Sequence, residues 1–204
     1  MADTIRPPAD AGNSVQTEPA LTDEQGARLV RLARSALNAA VGALSVGTES
    51  DADLQLPGAT FVTLTQAGQL RGCIGSLQAH RPLAEDVRNN AVAAALHDPR
   101  FEPVTAREAP TLRVEVSVLT PAQPLSYTDQ AHALQQLQPG VDGVVLECVY
   151  RGRKHRSTFL PQVWEQLPDV ATFMAHLKAK AGLAQDFWSP EVRLSVYRVQ
   201  KFLE

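Results

Sequence analysis

Phe61-Val62-Thr63-Leu64-Thr65-Gln66-Ala67-Gly68-Gln69-Leu70-Arg71-Gly72-Cys73-Ile74-Gly75 holds two short apolar runs folded about one glycine. Phe61 to Thr65 is rich in β-branched residues and reads as a strand. Gly68 marks a turn, and Leu70 to Ile74 returns as a second strand. A hairpin of this kind sets an antiparallel sheet. Further along, Leu112, Val114, Val116 and Val118 alternate with Arg113, Glu115 and Ser117, the pattern of a strand with one buried face. Val144 to Tyr150 reads as a strand, Arg151-Gly152 as a turn and Ser157 to Leu160 as the partner strand. Val192, Leu194 and Val196 predict a last strand.

Helices punctuate these strands. Thr22-Asp23-Glu24-Gln25 fits a capping box, and Leu29, Ala33, Ala36, Leu37, Ala40, Val41 and Leu44 then recur on one helical face. Gly42 and Gly47 bracket its end, and Thr48 to Pro57 reads as a polar loop. Pro82 opens a second helix that carries Leu83, Val87, Ala91, Ala94 and Ala95 and stops before Pro99. Thr105 to Glu108 is a second, short capping box. Leu134 and Leu137 suggest a short helix, and Asp169 caps another, closed by Gly182. Hairpins outnumber strand–helix–strand units, so the fold class is α+β, with mostly antiparallel sheets and packed helices.

The chain has 204 residues, enough for one domain or one domain with two lobes. Hydrophobic residues make up 44% and aromatics 5%, so the core rests on Leu, Val and Ala. A net charge of -3 argues against a protein that coats nucleic acid. No apolar run approaches the roughly 18 residues of a bilayer span. The start of the chain lacks a basic, apolar signal, and two cysteines do not make a disulfide scaffold. These features predict a cytoplasmic protein with reduced thiols. Residues 1–20 hold almost no large apolar side chains and read as a disordered tail, with residues 21–204 as the folded domain.

Leu70-Arg71-Gly72-Cys73-Ile74-Gly75 is the most unusual segment. Glycine weakens a strand, so Gly72 and Gly75 point to close approach of a ligand or another backbone. On a regular strand Arg71, Cys73 and Gly75 share a face, which sets a guanidinium beside the thiol. The competing reading is a small buried hydrophobe, since free cysteine is among the most buried residue types. His97-Asp98-Pro99-Arg100-Phe101 ends a helix. His97 reads either as a dipole-favoured cap or as a base, with Asp98 and Arg100 as binding groups. Glu115 is a solvated edge residue, or an acid/base group if both sheet faces are covered. Arg151-Gly152-Arg153-Lys154-His155-Arg156 reads as a solvated hairpin tip or as a phosphate contact. Cys148, in register with Val144 and Leu146, reads as core filler. No metal-ligand spacing, phosphate loop or dinucleotide fingerprint is present.

The hexapeptide Leu70–Gly75 resembles the signature of the AMMECR family, whose prokaryotic members are called AmmeMemoRadiSam system protein A. Phe61-Val62-Thr63-Leu64, Asp98-Pro99-Arg100-Phe101, Val114 to Leu119, Thr158 to Trp164 and Lys180-Ala181-Gly182-Leu183 agree in the same order. The resemblance runs from about Thr22 to the C-terminus. It implies two intertwined α+β lobes, with the signature strand near the cleft between them. It supplies no particular reaction, and any cofactor stays unknown. It does imply a setting shared with a Memo-like protein and a radical S-adenosylmethionine enzyme. Three functions follow as expectations. The first is a thiol-dependent enzyme or enzyme component using Cys73 as nucleophile or carrier, Glu115 or His97 for protons, and Arg71 and Arg100 as binding groups. The second is a non-catalytic adaptor whose Gly72–Gly75 strand accepts a partner backbone. Nucleic-acid binding through Arg151 to Arg156 ranks third.

Overall fold

A computed structural model describes residues 21–43 and 51–204. The tail reading, Leu44, Gly47 and the first residues of the polar loop lie outside the described residues. Helix α1 (Asp23–Ala40) starts at the capping box, where Gln25 N–H donates to Thr22 Oγ1 at 3.2 Å. The Gln25 side chain answers by accepting from Thr22 N–H at 3.0 Å, so two otherwise free donors are satisfied. Its apolar stripe of Leu29, Ala33 and Leu37 is fully buried.

Strands β1 (Pro57–Gln66) and β2 (Gln69–Gly75) form the hairpin. Ala67 and Gly68 both have positive φ, the geometry a two-residue turn needs to follow the strand twist. Strand β3 (Arg81–Pro82) leads into helix α2 (Leu83–Leu96). Pro82 is the residue before the first helical turn rather than inside it. Strand β4 (Leu112–Leu119) follows a short 3-10 turn at Ala109–Thr111. The first sheet runs β2-β1-β4 and ends on strand β9 (Val199–Leu203). Helices α1 and α2 cover one face, burying Val62, Leu64, Val114, Val116 and Phe202. We call the opposite side the outer face.

The second lobe is the stretch between β4 and β9. Its sheet runs in the order β5 (Gln123–Pro124), β8 (Arg193–Tyr197), β6 (Gly143–Tyr150), β7 (Arg153–Phe159). Helices α3 (Gln130–Gln136) and α4 (Val170–Lys180) back it. Trp164 stacks on Phe173 with ring centroids 3.6 Å apart and planes 4° off parallel. The chain crosses between lobes at Thr120 and Arg198, where Thr120 N–H donates to Arg198 C=O at 2.9 Å. A third small core of Ala59, Leu119, Val145 and Tyr197 joins the two sheets at one end.

Three sequence readings change. The basic run is mostly strand: Arg151 and Gly152 make the turn, and Arg153 to Arg156 pair with Tyr150 to Glu147. Alternating cations carry no apolar signal, so backbone pairing there leaves no periodic trace. Val192 to Val196 is not the last strand, because β9 follows after Arg198. Strand β4 is not buried on one face alone: Ser117, which points outward, is 4% exposed because the second lobe covers part of that face. No described helix is long and apolar enough to cross a membrane.

Candidate functional site

Strand β2 is the outer strand of the first sheet, so Cys73 could leave its N–H and C=O unpaired. Instead Cys73 N–H donates to Asp98 Oδ2 at 2.8 Å, and Arg100 donates to Cys73 C=O at 3.2 Å. Arg100 also grips Asp98 through Nε at 2.9 Å and a terminal nitrogen at 2.6 Å. The pair therefore stands where a neighbouring strand would pair. Helix α2 ends just before it, and Phe101 N–H closes the turn onto Asp98 C=O at 3.1 Å. The Asp98 side chain is 2% exposed. The Arg100 guanidinium, followed by the N–H groups of Cys73 and Arg100, holds its carboxyl well below the usual carboxylate range. Asp98 in turn raises the Arg100 guanidinium above its ordinary value, with a smaller contribution from Cys73.

The backbone contact expected of the two glycines is made inside the molecule. A Cβ on Gly72 would sit 2.2 Å from the Ala94 carbonyl oxygen of α2. One on Gly75 would sit 2.2 Å from the Phe61 ring. The β1–β2 register shifts between Leu64 and Thr65, so Gly72 pairs with Leu64, Leu70 pairs with Thr65, and Arg71 is the extra residue of a bulge. Its guanidinium binds the Glu108 carboxylate at 2.6 and 3.1 Å and the Glu102 carbonyl at 2.9 Å, and no hydrogen bond joins it to the thiol among the described residues.

Cys73 is half-buried with its side chain on the outer face, where Sγ lies 3.3 Å from Thr63 Oγ1. Thr63 was not among the sequence candidates; its signal is the hairpin register, which sets it opposite Cys73. Glu115 pairs with Thr63 from the other side, so Cys73, Thr63 and Glu115 form one cross-strand row. Two strand spacings put Glu115 about 10 Å from Cys73, beyond hydrogen-bond reach. Both outer-face covering and partnering hold for Glu115: Ser117 Oγ donates to it at 3.4 Å and Lys201 Nζ lies 3.7 Å away. His97 is exposed at the end of α2, and no hydrogen bond joins its ring to Cys73 among the described residues. The structure thus brings Cys73, Asp98, Arg100 and Glu115 to one sheet face and edge, sets Arg71 and Arg100 over the same Phe101 ring at 5.8 and 5.4 Å, and leaves His97 exposed without a hydrogen bond to Cys73. Cys148 is 4% exposed in the second lobe.

The AMMECR1 family model matches residues 30–202. The chain belongs to the AMMECR1 family. A protein of Methanothermobacter thermautotrophicus is 36% identical over 196 residues, spanning 90% of this chain and 96% of that one. A protein of Methanocaldococcus jannaschii is 35% identical, spanning 90% of this chain and 92% of its own length. The crystal structure of uncharacterized protein PH0010 from Pyrococcus horikoshii superimposes with a TM-score of 0.77 at 32% identity, covering 90% of this chain and 93% of that one.

Two features of this AMMECR1 domain escape a sequence reading. Asp86 of α2 is fully buried and accepts from Thr60 N–H at 2.9 Å, Thr60 Oγ1 at 2.8 Å, Ser76 Oγ at 2.8 Å and Asn90 Nδ2 at 2.9 Å, with Arg81 Nε at 3.1 Å. It locks the segment that follows the signature strand. Between the lobes lies a groove of about 530 Å³ that includes Leu77 and Gln78 just beyond that strand, but not Cys73. Among the described residues no group of three or more His, Cys, Asp or Glu could hold a metal ion.

Proposed function

We propose that this AMMECR1-family protein is a thiol-dependent enzyme component in which Cys73 is the nucleophile or carrier. The observation that carries the reading is the division of labour within Leu70–Gly75. Gly72, Gly75 and Arg71 are consumed by packing and pairing, while Cys73 is left half-buried with its side chain on the outer face and its backbone clamped by Asp98 and Arg100. A clamped backbone fixes the direction of the thiol, which lowers the ordering cost of a productive approach. Arg100 supplies a fixed positive charge in the same cluster. Glu115, about 10 Å along the row, can act on a group lying across the strands but not on the thiol directly. Reaction at sulfur forms one bond to an electrophilic carbon; the leaving group departs with its electron pair, and the thiol proton goes to water. A Memo-like protein and a radical S-adenosylmethionine enzyme are the partners we propose, on the family setting rather than on any contact.

Alkylation with iodoacetamide, followed by mass spectrometry on the folded chain, tests this cleanly because the second cysteine is buried. The expected result is modification at Cys73 with Cys148 protected, and a several-fold slower rate in Arg100→Gln. A Cys73 that stays unmodified until the chain unfolds removes the proposal.

A further inference from the structure

We infer that the groove between the two sheets binds an extended segment of a partner protein, carrying large apolar side chains followed by acidic residues. The inference does not depend on the thiol reading. Ala59 and Leu119 of the first sheet and Val145 and Tyr197 of the second form the floor. Leu56 and Leu77 line the rims and are 77% and 41% exposed. Large aliphatic side chains of the first lobe left in water beside an apolar groove mark a place where something apolar is received.

One end of the groove already holds extended chain by its backbone. Leu21 lines it, and the Gln200 side-chain amide reads both of its main-chain groups: Leu21 N–H donates to Oε1 at 3.0 Å, and Leu21 C=O accepts from Nε2 at 2.7 Å. That is the chemistry by which a side-chain amide receives a peptide.

Charge supplies the rest of the occupant's description. The groove wall continues onto the face of the second sheet that carries Val145, Glu147 and Val149. In register beside these stand Arg156 and Arg193 against Glu147, and Lys154 against Val149, which is 54% exposed. This face thus carries three cations to one carboxylate: Arg156 Nε is 3.0 Å from Glu147, Arg193 donates to the Pro190 and Val192 carbonyls, and Lys154 stands one pair further along. This surplus runs against the chain's net charge of -3 and complements an acidic segment. It also gives the basic run a role: Lys154 and Arg156, its alternate members, face the groove side of the sheet.

The test is fluorescence anisotropy with the full chain and a fluorescein-labelled acetyl-Leu-Ser-Leu-Ser-Glu-Glu peptide. Saturable binding is expected, weakened about tenfold or more by Leu77→Asp, by Arg156→Glu, and by Lys in place of both Glu in the peptide. Leu56→Asp, at a side chain that is 77% exposed, gives the same reading without touching the fold. Binding indifferent to these changes, absent binding, or equal binding of a labelled oligothymidylate overturns the inference. So does a benzoylphenylalanine placed at Leu77 that crosslinks to residues 1–20 or to a second copy of the chain, since either would assign the groove to this protein itself.

Discussion

Asp98 shows how one side chain can finish a sheet. Its two oxygens take the Cys73 N–H and the Arg100 guanidinium, and its side chain is almost wholly out of water. Hydrogen bonds to a charged acceptor contribute about 1.5–3 kcal/mol each, and the half-exposed Arg100 is screened enough to keep the total toward the lower end. The pH dependence follows from the direction of the shift. The folded carboxyl lies below its ordinary value of 3.8, so its stabilisation is complete above that value and is lost as the pH falls toward the folded one. Urea unfolding of the native chain and Asp98→Asn, from about pH 2 to pH 7, should show a stability gap that is widest near neutrality and narrows in acid. A gap that holds constant across that range would falsify the charge-based account. Thr63, Asp98 and Arg100 also show what was legible at this scale. Asp98 and Arg100 stand out in the sequence as charges beside a helix-stopping proline. That they reach Cys73 depends on where α2 ends relative to β2, which no local pattern encodes.

Among the elements, α2 is tied to the β1–β2 hairpin by the Asp86 carboxylate together with the Asn90 amide, which donates to the Thr60 carbonyl at 3.0 Å. Asp86 receives the Thr60 amide and hydroxyl, the Ser76 hydroxyl and the Asn90 amide, and meets Arg81. Replacing it with Ala strands several buried donors and leaves Arg81 without its counter-charge. The expected loss is about 3–5 kcal/mol, read as a lower urea midpoint with unchanged slope; a loss under about 1 kcal/mol would mean that water replaces the carboxylate at no great cost. The sequence reading found α1, β1, β2, α2 and β4, because each carries a clean period or a cap. It did not single out Asp86, since a buried acid on a helix looks like a solvated one. Strand β9 was missed for a related reason: Val199-Gln200-Lys201-Phe202-Leu203 has one apolar residue, Phe202, facing the helix-covered core, too little to print a pattern.

At the scale of the molecule, the second lobe is an insertion between two neighbouring strands of the first sheet. The lobes meet through four buried side chains and the Thr120–Arg198 crossing. Each lobe has a larger core of its own, so their mutual contact is the weakest layer. Leu119, 8% exposed, belongs to the joint and not to the helix-backed core. Leu119→Ala should cost about 2–5 kcal/mol and resolve one calorimetric transition into two. A single transition merely displaced in temperature would show that the lobes unfold as one body whatever joins them.

By itself the chain determined its antiparallel α+β class, its capped helices and its odd glycine–thiol hexapeptide, because these are written in spacings of two to four residues. Tertiary structure alone decided that Ala94 and Phe61 fill the space beside the glycines, that Arg71 is bound by Glu108, and that the groove opens beside Leu77 rather than at Cys73. Those outcomes depend on contacts between segments far apart in the chain. They are set by how two packed sheets and a helix end share volume, and side-chain order along the sequence carries no record of that.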